Sequence, residues 1–539
     1  MAKDTIQELK NIQQLKTRKR NIFLIFLCLL TGMIAGGIVV LYTVLLEKSS
    51  HLRNSFFAEI TPLKIVAGLA IFILLGLAVE FMLAKYPLIG GSGIPQVSGL
   101  LQKKIQFNWF PELLTKFFGG VLAIGTGMSM GREGPSIHLG ALVGEGIRKI
   151  FKVSEVEEKY LVTCGASAGI SAAFNAPLAG TVFALEELHK FFSPLLLICV
   201  LVASGGANYV LRLILGSETT FQYNFILPKT ASPIFTLIIT VVFALVITIS
   251  GKAFSFFLVF FQKKYKNIKI NRYLRVSIFM VIPFLIAVFF KDVTGGGHLL
   301  IVRMFKESAP LKILVLILFL KFFYTMLCYG TGFPGGIFFP MLVIGALIGK
   351  IYGEILYTYF SVSEEFIVHF MLLGMAAYFT AVVRAPITGI ILILEMTGNF
   401  SYLFMLIIVV TMTYVLTELF KMEPIYETLF ENMFADKKAE TGNSGEESRI
   451  VTLLIHVGMN SEFENKKIKE LKLPKTLLIV SVRANGKETI PDGETVLKSG
   501  NQLVIITTYK TASEYASKLK DDAARIVYNI LESKYDLGK

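Results

Sequence analysis

Charge is what this 539-residue chain has least of: 17% of its residues are Asp, Glu, Lys or Arg, against 54% hydrophobic. So little charge cannot cover a soluble surface, and the composition is that of a polytopic membrane protein. Cysteine occurs four times, at Cys28, Cys164, Cys199 and Cys328, always in apolar sequence and never as a CxxC pair. That argues against a disulfide framework or thiolate metal site and leaves small buried hydrophobes. His138, His189, His298 and His369 lack metal-ligand spacing, so neither metal nor cofactor is expected. Acidic residues are scarcer than basic ones, giving a net charge of +14. The Lys and Arg residues stand at the ends of apolar runs, as the positive-inside rule places them, and not as a nucleic-acid surface would. A cleavable leader is not expected either. Residues 1–20 are polar, end in Lys16, Arg18, Lys19 and Arg20, and precede an apolar run, Ile22–Leu46, that is longer than a leader's core. This reads as a retained first span with a cytoplasmic N-terminal segment.

What is present is apolar sequence in runs, at Ile65–Leu83, Pro194–Leu215, Ile234–Phe260, Val276–Phe290, Leu311–Leu320, Phe366–Phe379 and Tyr402–Phe420. Between them lie shorter pieces broken by glycine and proline. Helices that stop inside a bilayer must turn their free ends toward protein or a watery cavity, which is how transporters build binding sites. The broken pieces repeat. Pro135–Gly144 aligns with Pro340–Gly349 at an offset of 340 − 135 = 205, and Asn175–Glu186 with Arg384–Glu395 at 384 − 175 = 209. Shared Pro, Gly and Glu at nearly constant offset predict an internal duplication, with the substrate where the halves meet.

The sequence centres on Gly131-Arg132-Glu133-Gly134-Pro135. An ionisable residue at membrane depth is costly and usually functional. Proline suits a helix's first turn, and the glycines allow close backbone approach. The expected helix, opening at Pro135, would aim its positive dipole end at the Glu133 carboxylate or at an anion replacing it. Gly91-Ser92-Gly93-Ile94-Pro95 offers a hydroxyl at a second helix start. Gly335-Gly336-Ile337-Phe338-Phe339-Pro340 offers the amides of Ile337 and Phe338 at a third, and Tyr426 a phenol. Amides, hydroxyls and helix ends bind an anion without a full positive charge, weakly enough to release it. No converging Arg or Lys fork suggests a multivalent oxyanion, so a small monovalent anion is expected. Glu186 and Glu187 are adjacent; one is expected to be a structural partner, since neighbours on a helix point about 100° apart. Arg384 and Glu395 read as structural ion pairs or helix-end charges and not as ligands.

At these segments the chain resembles the CLC family of chloride channels and chloride/proton antiporters, over roughly residues 20–430. The resemblance implies an all-α polytopic membrane protein of two inverted repeats with broken helices, forming a homodimer with a pore in each subunit. It implies no enzyme chemistry. It casts Ser92, Tyr426 and the amides of Ile337 and Phe338 as chloride ligands, with Arg132, Gly134 and Gly336 supplying the backbone around the ion. Glu133 becomes the gating glutamate. Alignment through Phe174-Asn175-Ala176-Pro177 puts Glu187 at the family's internal proton glutamate, which favours exchange of chloride for protons over a passive voltage- or pH-gated channel. Gln96 departs from the family's usual acidic residue.

Composition changes after Tyr426. Residues 21–434 read as the membrane domain, 435–449 as a polar linker, and 450–539 as a small α+β cytoplasmic domain. Strands are predicted at Val451–Val457, Leu477–Val482 and Leu503–Thr507, turns at Asn485-Gly486 and Pro491-Asp492-Gly493, and a helix over Ser513–Tyr528. Lys469–Pro474, Val482–Gly486, Pro491–Thr495 and Gly500–Val504 resemble the C-terminal regulatory domain (RCK_C or TrkA_C) of potassium-uptake regulators, although Asn501 stands where aspartate is usual. That resemblance implies paired copies and a small ligand, nucleotide second messengers among the class. The expected setting is the cell membrane, multi-pass, with both termini cytoplasmic.

Overall fold

The computed structural model describes residues 2–440 apart from 191–192, 222, 224–231 and 361. Of the remainder it describes 450–508 apart from 460, 472, 475, 485 and 486, and then 511, 512, 515 and 523. The chain forms two compact units, 1–432 and 433–539. Within the first run helices α1 (Ala2–Phe56), α2 (Pro62–Lys85), α3 (Ile94–Leu101), α4 (Trp109–Gly125), α5 (Glu133–Phe151), α6 (Glu155–Phe174), α7 (Pro177–Phe183), α8 (Pro194–Leu215) and α9 (Pro233–Lys266). They are followed by α10 (Arg272–Phe279), α11 (Val281–Phe289), α12 (His298–Lys306), α13 (Leu311–Gly330), α14 (Phe338–Phe360), α15 (Glu365–Val383), α16 (Pro386–Thr397) and α17 (Leu403–Leu419), and α18 (Ile425–Glu440) begins in this unit and runs past its end at 432. Among the described residues nine helical spans are long and apolar enough to cross a membrane. The helix begun by the first apolar run takes in the polar segment before it and continues to Phe56. At the other end α18 continues to Glu440, into the stretch whose composition reads as linker; residues 441–449 lie outside the described residues.

The duplication is written into the contacts. A Cβ on Gly140 would strike the Gly165 carbonyl, and one on Gly165 the Gly140 carbonyl. At +205 and +209 the pair recurs as Gly345 and Gly374, again each against the other's carbonyl. Gly144 on Leu161 recurs as Gly349 on Phe370. In lipid, helices associate through such close backbone approach, because apolar burial alone gives no preference for protein over tails. The stripes bring α5 onto α6 and α14 onto α15, the middle of each repeat.

Two carboxylates join the repeats reciprocally. Glu186 accepts from the amides of Ile387 (3.1 Å) and Thr388 (2.8 Å) at the start of α16. Glu395 accepts from the amides of Leu178 (3.0 Å) and Ala179 (2.7 Å) at the start of α7. Adding 209 to Glu186, Leu178 and Ala179 of the first repeat gives Glu395, Ile387 and Thr388 of the second, so the two halves are related by an internal two-fold. An acid at a helix start satisfies amides that lack intrahelical partners and complements the dipole.

The second unit is a four-stranded antiparallel sheet in the order β1–β4–β2–β3, with β1 Ile450–His456, β2 Leu477–Ala484, β3 Lys487–Thr489 and β4 Gln502–Thr508. Alternation along β4 turns Leu503 and Ile505 into a core with Ile455, Leu477, Ile479 and Leu497. The predicted strands are present. Asn485-Gly486 and most of Ser513–Tyr528 lie outside the described residues, although Ala484 and Lys487 pair across the position of the turn. At the other turn, the Thr495 hydroxyl donates to Asp492 (2.8 Å) and holds that exposed acid below the usual carboxylate range.

Candidate anion site at the meeting of the repeats

Three loops are stitched together by backbone hydrogen bonds. Gly131 and Gly336, 205 residues apart, exchange both amide–carbonyl bonds, at 2.7 and 2.8 Å. The Gly91 amide donates to the Gly332 carbonyl (3.0 Å), and the Gly335 amide to the Gly91 carbonyl (3.1 Å). The loops preceding α3, α5 and α14 therefore share one place, and these helices start there. Glycine is needed where the loops touch: a Cβ on Gly134 would lie 2.8 Å from the Ser92 Cβ, and one on Gly336 3.1 Å from the Gly134 amide. Gly93, at φ +91°, packs against His138.

Ser92 is buried, and its hydroxyl accepts a 3.3 Å bond from the Ile94 amide at the opening of α3. The Tyr329 hydroxyl lies beside it. Gln96 donates to the Gly90 carbonyl at 2.8 Å, so the residue that departs from the resemblance braces the same loop. Ile337 and Phe338 are fully buried where α14 begins, and the Phe338 ring packs on Phe174, Phe183 and Phe379 at 5.1, 6.0 and 4.6 Å. The first amides of such a helix have no intrahelical acceptor and face whatever occupies the junction.

Glu133 differs from expectation in one respect. The helix opens at Glu133 itself, with Arg132 as its cap, two residues before Pro135. A proline two residues inside the start still loses no intrahelical bond. The carboxylate folds back against its own amide and that of Phe339, so one acid sits at the starts of both α5 and α14. Its Oε2 is buried without a hydrogen-bond partner, and Gly131 leaves the space it fills. Arg132 turns away, to Glu47 (3.5 Å) and the Ala173 carbonyl (3.4 Å). Tyr426 is buried with no partner for its hydroxyl, within electrostatic reach of Tyr329, Glu187 and Glu133.

The adjacent glutamates divide their work. Glu186 is the helix cap described above. Glu187 is buried in a π turn, Ala184–His189, that continues α7, and lies near Lys190 and Glu427, themselves paired at 3.4 Å. π turns inside helices commonly mark functional positions. The histidines show no metal geometry: among the described residues no cluster of His, Cys, Asp or Glu suits a metal ion. His138 and His369 are buried with neither ring nitrogen hydrogen-bonded, and His298 stacks between Phe221 and Phe339.

Sequence reasoning missed two buried lysines, one holding the loop before α3 and one the loop before α12. Lys116 donates to the carbonyls of Ile89 and Gly91, each at 2.7 Å, and Lys321 to those of Val293 (3.0 Å) and Gly295 (2.6 Å). The signal was available, since 321 − 116 = 205, the offset already visible between Pro135 and Pro340.

An internally duplicated membrane unit whose broken helices start around one glutamate is the anatomy of an ion-translocating protein with its site at the repeat junction. The chain belongs to the voltage gated chloride channel family, whose model matches residues 75–418, while residues 453–520 match the TrkA-C domain. It is 32% identical over 452 residues to the H(+)/Cl(-) exchange transporter ClcA of Vibrio cholerae serotype O1, covering 82% of this chain and 95% of that protein. Among solved structures, a slow cyanobacterial Cl-/H+ antiporter aligns with a TM-score of 0.73 at 27% identity, over 77% of this chain and 98% of its own. A eukaryotic CLC transporter shares the fold at a TM-score of 0.64 and 20% identity, over 76% of this chain and 73% of its own.

Proposed function

We propose that this protein is a secondary active transporter that exchanges chloride for protons across a cell membrane. The observation that carries the reading is the buried Glu133 carboxylate at the starts of both α5 and α14, one residue before the Gly134 that packs on Ser92 and within electrostatic reach of Tyr426. A carboxylate and a chloride ion compete for the same helix-end amides. When chloride enters, the acid must leave; when the acid takes a proton, its claim on the amides weakens. One group thereby couples two ions. Ser92, Tyr426 and the amides of Ile337 and Phe338 hold the chloride, with Arg132, Gly134 and Gly336 shaping the backbone. Glu187 passes protons between Glu133 and the cytoplasm. The exchangers among the relatives support coupled transport over the passive channel built on the same scaffold.

Two copies form the working unit, each with its own pathway, both termini face the cytoplasm, and the TrkA-C-like unit answers to a small ligand of the nucleotide class. The test is transport by purified protein in chloride-loaded liposomes, followed with chloride and pH electrodes together. An imposed chloride gradient should drive protons uphill; chloride movement with no proton movement would make the protein a channel.

A further inference from the structure

Between Glu218 and Asp292 the chain carries no acid, yet six cations fall within thirteen residues of that stretch: Lys263, Lys264, Lys266, Lys269, Arg272 and Arg275. This segment joins α9 to α10, and one ion pair fixes its side of the membrane. α1 and α2 are consecutive spans, so α2 ends on the face where α1 begins; Glu80, near the end of α2, binds Arg272 at 2.6 Å. The loop therefore lies on the face of the N-terminal segment.

The arginines build this loop and leave lysines over. The Arg275 guanidinium stands 4.5 Å from the centre of the Tyr265 ring and donates to the carbonyls of Tyr265 (3.1 Å) and Lys266 (3.4 Å). Asn271 caps α10, accepting from the Tyr273 amide at 2.9 Å. Among the described residues Lys263, Lys264 and Lys269 make no ion pair, and all three are exposed. Exposed with them are Ile268 and Ile270 in the loop and Leu274 in α10. Membrane topology asks for cations at this end of a span but not for apolar side chains set among them. A surface at the headgroup boundary uses both, since apolar groups reach the acyl region while the cations stay at phosphate depth.

Helix α9 leads to the same place. Its exposed Ile238, Val241, Leu245, Ile249, Phe256 and Phe260 follow at steps of three, four and seven residues, one apolar stripe. From Ile238 to Phe260 this stripe runs about 33 Å, close to the hydrocarbon thickness of about 30 Å. Lys264 comes next on it, four residues after Phe260, with its ammonium over that ring at 5.6 Å. A stripe of the right length for acyl chains thus ends in a cation at headgroup level.

We propose that α9 and the loop after it form a docking site for an anionic phospholipid, with its phosphate held by Lys263, Lys264 and Lys269 and its acyl chains along the α9 stripe. The site is separate from the anion pathway and does not depend on how that pathway is read.

The experiment places full-length protein in liposomes that carry a phosphatidylglycerol with a photoactivatable acyl chain or, in parallel, a phosphatidylcholine with the same chain, and maps labelled peptides by mass spectrometry. Labelling over residues 238–275 should favour phosphatidylglycerol by about fivefold or more, the preference that one cation near the surface confers. The combined variant Lys263→Gln, Lys264→Gln and Lys269→Gln should lower it to the phosphatidylcholine level, while Lys263→Arg, Lys264→Arg and Lys269→Arg together should keep the preference. Equal labelling by the two lipids in the parent overturns the proposal, as does a Gln variant that keeps the preference or an Arg variant that loses it. Absence of labelling by either lipid also overturns it, because protein would then cover this face. Glycerol 3-phosphate, a headgroup without chains, should not compete; if it abolishes the preference, the site is one for free phosphate and the lipid assignment is wrong. Should the Gln variant not fold, salt decides: in about 1 M salt, where the Debye length is about 3 Å, the parent's preference should collapse, and its persistence overturns the proposal.

Discussion

Glu133, Ser92 and Tyr426 have in common a polar atom buried near helix starts in an apolar surround, with few protein partners. Tyr426 Oη and Glu133 Oε2 have none, a costly state for buried polar atoms unless something else visits them. Ser92→Ala and Tyr426→Phe each remove one hydroxyl and little volume. Each should weaken chloride binding by about 0.5–1.5 kcal/mol, which calorimetric titration of purified protein would read as a few-fold to roughly tenfold rise in dissociation constant. Glu187→Gln should leave chloride flux in place and abolish uphill proton movement; loss of both fluxes in folded protein would make Glu187 a structural residue. Acid pH should speed transport by removing the charge with which Glu133 opposes chloride.

At the scale of elements, the broken helices were legible because proline and glycine punctuate apolar sequence where a helix must begin. The repeat was legible because those residues recur at 205 and 209. What pairs with what was not. Glu186 and Glu395 look in sequence like ordinary helix-end charges, and only the fold shows each reaching across to the other repeat's helix. Lys116 and Lys321 carry a visible offset but no local motif, since a lysine that binds carbonyls can stand almost anywhere on a helix. Reciprocity makes a prediction: Glu186→Ala and Glu395→Ala each strand two amides and should cost a similar amount, about 1–3 kcal/mol. Thermal unfolding in detergent would read this as matched falls in midpoint, and a large loss from one with none from the other would contradict the two-fold. The opening of α5 at Glu133 was missed by two residues because proline marks a helix's first turn without saying which of its positions it fills.

At the scale of the whole molecule, the composition shift after Tyr426 falls close to the division between the two compact units at 432/433, and the described strands supply the sheet of the small α+β domain expected there. The helix expected over Ser513–Tyr528 falls mostly outside the described residues. A ligand of this unit can alter transport only by its difference in affinity between two states. Truncation after Phe434 should therefore leave a chloride-selective exchanger whose rate no longer responds to such a ligand. Loss of chloride flux in truncated protein that is folded and dimeric would place the tail in the transport machinery.

The central claim is that one carboxylate couples the two ions, and Glu133→Gln tests it most directly. Gln is uncharged and close in shape, a permanent copy of the protonated acid. In chloride-loaded liposomes with electrodes for chloride and pH, the variant should pass chloride readily while the chloride gradient no longer moves protons. Protons still moving uphill in step with chloride through that variant would contradict the account.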